Sequence, residues 1–336
     1  MGTIKDLAKE TGLGLATISK YINGGNVREE NKIAIDLAIE KLGFTANSFA
    51  RGLKTGKSCT VGVIIPELGN IFVATIISAM ADVLRTKGYG VIVCDCRTDE
   101  LLEREMVSFL LEKMVDGIVN MPVSKSGEHL LPAIKSNIPV VLLDRMIHGL
   151  KDDVSAVLVD NVHASSSAVK FLLDAGHKDI GIILGPQEIF TTQQRLLGYN
   201  QALIQEDIQP NSSHVIFSDY SVQGGYESMK RLLSDHSVTA VFSTNYEMTL
   251  GAIIAINERG IRIPDQISFV GFDNMQMSQV IQPKLTIVSQ PLNEIGEQAA
   301  AILLSKFSDS INSTAPINMT LSTEVIAGES VRNLYR

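Results

Sequence analysis

Ten short runs rich in Val, Ile and Leu recur between residues 60 and 290, at 60–65, 90–94, 117–121, 140–143, 156–159, 180–184, 214–217, 240–243, 267–271 and 286–290. Stretches with helical spacing separate most of them, at 74–87, 101–113, 164–175, 193–206, 225–234 and 248–259. A strand that is apolar at consecutive positions has no face for water. Both of its faces must be covered, and alternation with amphipathic helices does this by laying helices on either side of a parallel sheet. Ten strands are more than one such sheet needs. The fold class is therefore α/β, with two doubly wound parallel-sheet lobes.

The residues before position 60 follow a different pattern. Up to Lys57 there are 9 Lys or Arg against 6 Asp or Glu, a net of +3; the other 279 residues carry 20 against 31, a net of −11, which together give the −8 of the chain. An acidic protein that gathers positive charge in one terminal module can use that module for nucleic acid. Thr3 is placed as an N-cap with Asp6 three residues on, and Ile4, Leu7 and Ala8 share one face of a helix over residues 4–10. Gly12 and Gly14 permit a sharp turn, and residues 15–21 form a second helix that buries Ile18 with Leu13 and Ile22. Its other face presents Leu15, Ala16, Thr17, Ser19 and Lys20, small and polar groups that let a helix approach phosphates and base edges. A third helix is expected over 29–42, with Ile33, Leu37 and Ile39 or Glu40 on successive turns. Ahead of the lobes stands a small all-α helix-turn-helix domain, residues 1–46.

Residues 47–58, Asn-Ser-Phe-Ala-Arg-Gly-Leu-Lys-Thr-Gly-Lys-Ser, form a basic linker in which Leu53 lies between Arg51 and Lys54. Such a segment buries little by itself and is expected to order only on a partner. A Leu wedge in the minor groove is one way for a short helix to kink DNA. Gly56-Lys57-Ser58 looks like the end of a phosphate-binding loop, but the first glycine of that motif would fall on Arg51, and the segment precedes a strand instead of following one.

Ligands of doubly wound sheets bind beyond the carboxyl ends of the strands. Those positions here include Pro66–Phe72, Asp144-Arg145, Asp160-Asn161, Gly185-Pro186, Asp219-Tyr220, Thr244-Asn245 and Phe272-Asp273-Asn274. Carboxylates, amides and an aromatic ring in one cleft suit a polyhydroxylated ligand, although Asp and Asn after strands are also ordinary helix caps and turn formers. Enzyme signatures are weak. The six His lack metal spacing, no G-x-S-x-G elbow occurs, and Gly88-Tyr-Gly90 lies on the wrong side of its strand for a dinucleotide turn. Cys59, Cys94 and Cys96 read as reduced thiols. Without a signal peptide or an apolar run of membrane length, a cytoplasmic protein is expected.

Several of these segments together resemble the lactose-repressor family of bacterial transcriptional regulators over nearly the full length. They are Thr3-Ile-Lys-Asp-Leu-Ala, Ala16-Thr-Ile-Ser-Lys, Leu42-Gly-Phe-Thr-Ala-Asn47, Ala50-Arg-Gly-Leu-Lys-Thr-Gly-Lys57, Val61-Gly-Val-Ile-Ile-Pro, Val115-Asp-Gly-Ile, Arg195-Leu-Leu-Gly-Tyr and Ile267-Ser-Phe-Val-Gly-Phe-Asp273. The resemblance implies a periplasmic-binding-protein-like core, a homodimer, a pseudo-palindromic operator in double-stranded DNA, and a repressor controlled by a small effector, expected to be a sugar. A phosphorylated carrier protein is an alternative co-regulator, and a sugar-modifying enzyme a more remote reading; no cofactor or metal is implied. It also implies a hinge helix at 47–59 and a core over 60–336, with one lobe at about 60–159 plus 290–320 and the other at about 160–287 plus 321–336.

Site residues follow from the same match. Leu15, Ala16 and Lys20 would face bases, and Thr3, Thr17, Ser19, Asn23 and Asn47 would lie with them at the DNA. Ala50 and Leu53 match the hinge, with Leu53 entering the minor groove. Phe72, Asp144, Thr191, Arg195, Tyr220, Asn245 and Asp273 match the effector cleft, with Arg195 and Asp273 expected to face each other across adjacent hydroxyls. The chain departs from the family pattern at Gly14 and Arg28, both usually Ser, and at Lys20, usually Arg. It departs also at Gly52 in the hinge, Ile71, usually Pro, and Tyr246, usually Asp.

Overall fold

The computed structural model describes residues 2–22, 24–44, 57–147, 149–273, 275–308 and 315–335, and it divides the chain into two compact units, Met1–Ser58 and Cys59–Arg336. Asn23, Asn47, Ala50 and Leu53, and with them residues 47–56 of the expected hinge, lie outside the described residues.

In the first unit α1 (Ile4–Thr11), α2 (Leu15–Ile22) and α3 (Glu29–Leu42) enclose a miniature core of Leu7, Ile18, Ile35 and Ala38. Helix α1 starts on a capping box: the Asp6 amide donates to Thr3 Oγ1 at 3.3 Å and the Thr3 amide donates to Asp6 Oδ2 at 2.8 Å. It ends on Gly12, whose φ of 69° is the left-handed conformation that glycine adopts without strain. Lys41 pairs with Glu10 at 2.6 Å, and the Tyr21 hydroxyl donates to Asp36 at 2.6 Å, so α3 is tied to both other helices. The inward face of α3 differs from the expected one. Ile33 and Leu37 are 54% and 63% exposed, while Ile35 and Ala38 are buried and Ile39 and Leu42 pack beside them. Residues 35, 38, 39 and 42 follow the i, i+3, i+4, i+7 spacing, a broader apolar stripe than Ile33 and Leu37 offer.

The second unit holds two six-stranded sheets. Strands β1 (Thr60–Ile65), β2 (Gly90–Asp95), β3 (Gly117–Asn120), β4 (Val140–Leu143) and β5 (Ser155–Val159) build the first, and β6 (Ile180–Leu184), β7 (Val215–Phe217), β8 (Ala240–Ser243), β9 (Ser268–Phe272) and β10 (Thr286–Ser289) the second. Two further strands near the end of the chain, β11 (Asn318–Leu321) and β12 (Glu324–Ile326), complete them. The orders are β11-β5-β4-β3-β1-β2, all parallel, and β12-β10-β9-β8-β6-β7, parallel except for β12. Side chains alternate between two cores as the apolar runs require: Val61, Val63 and Ile65 enter one and Ile64 the other, just as Ile180, Ile182 and Leu184 enter one and Ile183 the other.

The covering helices are α4 (Ile71–Thr86), α5 (Glu100–Glu112) and a short α6 (Leu131–Lys135) on the first sheet, then α7 (Asn161–Asp174), α8 (Phe190–Gln205), α9 (Val222–Leu232) and α10 (Tyr246–Glu258) on the second. A short α11 (Met275–Val280) precedes β10, and α12 (Leu292–Phe307) returns to pack against α4 in the first lobe. Several helices begin earlier than their apolar spacing suggests, because each is started by a polar cap directly after its strand. Asn70, Asp160, Ser221 and Asn245 accept from the amides of Phe72, His163, Gly224 and Met248. The chain crosses between the lobes three times, at Asp160, between β10 and α12, and between β11 and β12. No described helix is long and apolar enough to cross a membrane.

Candidate effector cleft and nucleic-acid interface

In the head, α2 turns Ile18 inward and leaves its other side open. Leu15, Ala16 and Lys20 are exposed, and Thr17 and Ser19 are half-buried. A shallow concavity runs from Ala16, Thr17 and Lys20 to Asn26, Val27, Arg28 and Asn31 at the start of α3. The last four were not among the expected residues: Asn26, Val27 and Arg28 precede α3 in a segment with no periodicity to mark it, and Asn31 lies in its first turn. Thr3 is engaged in the capping box, so its hydroxyl is committed to Asp6 at 2.7 Å. Helix α2 follows Gly14, which has no side chain to cap with, and α3 starts at Arg28 with no side-chain cap hydrogen bond. Both substitutions from Ser therefore leave terminal amides to other partners.

In the second unit, all seven expected cleft residues line one cavity of about 450 Å³ between the two sheets' carboxyl ends. Phe72 sits in the first turn of α4, fixed by the Asn70 cap at 2.9 Å. Asp144, Tyr220 and Asp273 each follow a strand or its loop with φ of 66°, 64° and 61°. Left-handed backbone at three non-glycine residues of one site stores strain that the surrounding contacts must hold. Tyr220 shows how. Its hydroxyl bonds Thr191 Oγ1 at 3.1 Å and Thr192 Oγ1 at 2.7 Å, and its ring lies where any side chain at Gly185 would collide with it. Asn245 caps α10 through Oδ1 and donates from Nδ2 to Glu247 Oε2 at 2.6 Å. It is therefore both cap and cleft wall.

Arg195 and Asp273 are in the cavity but are not joined to each other by a hydrogen bond or ion pair. Arg195, 4% exposed, donates from Nε to Asn161 Oδ1 at 2.8 Å and from Nη1 to the Thr244 carbonyl, and its guanidinium lies 4.1 Å from the Phe272 ring centroid. Buried donors are satisfied by the nearest acceptors. Two of its nitrogens are thus taken up by the protein, with Nη2 left unbonded among the described residues. Asp273 instead receives both bonds of Gln290 Nε2, at 2.9 and 3.1 Å. Burial pushes its carboxyl up to about 7, against the pull of Arg195 and Gln290 and with help from Asp144 and Glu247. Asp144 is paired with Arg145, Nη2 to Oδ2 at 2.8 Å.

Gln290 and Glu247 were missed by sequence reasoning, although Gln290 ends an apolar run and the strand-end rule could have found it. A deeper group also escaped it. Glu103, fully buried on α5, accepts from the amides of Val123 at 3.0 Å and Ser124 at 2.8 Å, and from Asn120 Nδ2 at 3.1 Å. Burial raises its carboxyl, yet His129, 3.5 Å away, and the two amides hold it below the usual range. This network fixes the loop that places Met121 and Val123 in the cavity wall. Farther along that loop Lys125 reaches Glu188 of the other lobe at 3.8 Å.

Comparison with known proteins agrees over both units. Residues 169–331 match the model of a periplasmic binding protein-like domain. Catabolite control protein A of Priestia megaterium is 34% identical over 304 residues, 90% of this chain and 91% of that protein. The helix-turn-helix transcriptional repressor PurR of Pectobacterium carotovorum is 34% identical over 312 residues, 91% of this chain and 90% of that one. Among solved structures, a LacI family transcriptional regulator from Enterococcus faecium with bound ribose superposes with a TM-score of 0.72 at 27% identity, over 82% of this chain and 99% of that one.

Proposed function

Because this chain belongs to the lactose-repressor family of bacterial transcriptional regulators, we propose that its operator affinity is set by a sugar or sugar derivative held between the two lobes. It is a DNA-binding repressor under effector control and not an enzyme. The observation that carries the sugar reading is the gathering of Phe72, Asp144, Thr191, Arg195, Tyr220, Asn245 and Asp273 from both lobes around one cavity. Its volume falls in the range of small-ligand sites, roughly 300–1,000 Å³, and its carboxylates, amide and rings suit hydroxyls and a sugar face.

Two heads of a cytoplasmic homodimer read a pseudo-palindromic operator, with Leu15, Ala16 and Lys20 toward base edges and Thr17 and Ser19 toward phosphates. Residues 45–56, Leu53 among them, lie outside the described residues; the match of 47–59 to the family is what supports their role as a hinge at the minor groove. Effector acts through its different affinity for two lobe arrangements, which space the two hinges differently. Selection of bound DNA from a random pool, repeated with a panel of sugars and nucleobases, tests the whole reading. A two-fold symmetric site whose recovery changes only with a sugar is expected. Response to a nucleobase alone would overturn the sugar assignment, and recovery of no preferred sequence would overturn operator reading.

A further inference from the structure

Five carboxyl side chains line the cleft, Glu67, Asp144, Asp219, Glu247 and Asp273, against two guanidiniums, Arg145 and Arg195. The cations are already engaged, Arg145 with Asp144 and Arg195 with Asn161 and Thr244. Asp219 is engaged as well, with the Ser221 hydroxyl at 2.6 Å and its amide at 3.0 Å. Of the five, only Asp144 has an ion pair with Lys, Arg or His among the described residues. With Asp219 held by Ser221, and Asp273 held by Gln290 and under the pull of Arg195, Glu67 and Glu247 are the two left without a cation among the described residues. They also stand on opposite walls: Glu67 follows β1 in the first lobe, and Glu247 lies in the first turn of α10 in the second.

Like charges on facing walls oppose the approach of those walls. The Glu247 carboxyl is raised, by burial first and by repulsion from Glu67 in addition, and both residues line the same cavity. Its one side-chain partner is the neutral amide of Asn245. A neutral sugar would leave both carboxylates without a cation as the cleft dries, and a phosphorylated or carboxylated one would add repulsion. An ammonium group reverses the sign, since it carries the missing charge and three donors. The other cross-lobe pair, Lys125 with Glu188, is attractive already and needs nothing between its members.

We propose that the effector of this cleft is a hydroxylated amine, such as an amino sugar, whose ammonium group sits between Glu67 and Glu247 while its hydroxyls meet Asp144, Arg195 and Asp273. The inference rests on the cleft being the effector site. It also gives the effector its leverage: a cation bridging both walls binds the closed arrangement better than the open one, and only such a difference can move a two-state equilibrium.

Calorimetric titration of the full chain with matched pairs tests this: glucosamine and glucose, galactosamine and galactose, mannosamine and mannose, each near pH 7. The amine of at least one pair is expected to bind tenfold or more tightly than its neutral partner. In Glu247→Gln, and in the exposed-wall variant Glu67→Gln, that gap should shrink to less than threefold. If every pair that binds shows no preference for the amine, the amine inference is overturned while the cleft remains a sugar site. A preference that survives both substitutions overturns the bridging of Glu67 and Glu247. If no member of any pair binds, the amine inference and the sugar reading fall together.

Discussion

Leu15, Ala16 and Lys20 stand exposed on a helix of the head, whereas Arg195, Thr191 and Tyr220 in the cleft are tied to protein partners. Among the described residues, the head positions a surface by packing four buried side chains behind it, and leaves that surface's side chains open to a partner. The cleft does the reverse. Its polar wall is bonded in advance, so less side-chain freedom is lost when a small ligand enters. A large polyanion brings many contacts and tolerates loose groups; a ligand of a dozen atoms needs groups already aimed.

If that division is right, damage in the cleft should cost stability and damage in the head should cost affinity. The largest effect is expected for Arg195→Ala. It removes a buried cation from the Phe272 ring and leaves Asn161 Oδ1 and the Thr244 carbonyl without their donor, a loss of about 3–5 kcal/mol. Thermal unfolding of the core should show it, with operator binding by the remaining folded protein intact. A melting temperature equal to that of the parent would break the contrast.

Asp273→Asn is the cleft substitution expected to run the other way, because there the buried charge is itself the cost. The folded carboxyl is raised to about 7 from an ordinary 3.8, so between these values the folded chain holds a proton that the unfolded chain has released. By linkage this carboxyl costs stability progressively as pH rises through that window. The Asn variant should therefore match the parent near pH 4 and exceed it at pH 8, by roughly 1–4 kcal/mol, while losing its effector response. A gain that is equal at both pH values would refute the raised carboxyl.

Smaller effects belong to the head. Lys20→Ala should weaken operator binding by about 1–3 kcal/mol with sugar affinity unchanged, as read by anisotropy and calorimetry. Arg28→Ser restores a side-chain cap to α3 and should slow amide exchange in that helix, reflecting a gain of about 1 kcal/mol.

Much of this was legible in the sequence because buried parallel strands are nearly uninterrupted apolar runs. All ten expected strands are present, and the strand-end rule led to the cleft. Helix starts were read late where caps replace periodicity: α4, α7 and α9 begin at residues 71, 161 and 222, three before the first residue expected in each. Strands β11 and β12 lie at the sheet edges, where exposed Asn318, Thr320 and Glu324 break the apolar run that marks the other strands. Ile33 and Leu37 misled because an apolar residue on a small helical domain need not face inward. Least legible were the partners. Arg195 and Asp273 belong to one cavity, but Asn161, Thr244 and Gln290, which take up their bonds, are 34, 49 and 17 residues away from them in sequence.

The three crossings between the lobes set a timetable for synthesis. The first sheet lacks its edge strand until residue 321 has been made, and the second until residue 326. A ribosome that has completed most of the chain therefore holds two unfinished lobes instead of one folded and one waiting. Both are sealed within the same short stretch of translation, and until then the edges at β5 and β10 are open to chaperones or to wrong partners.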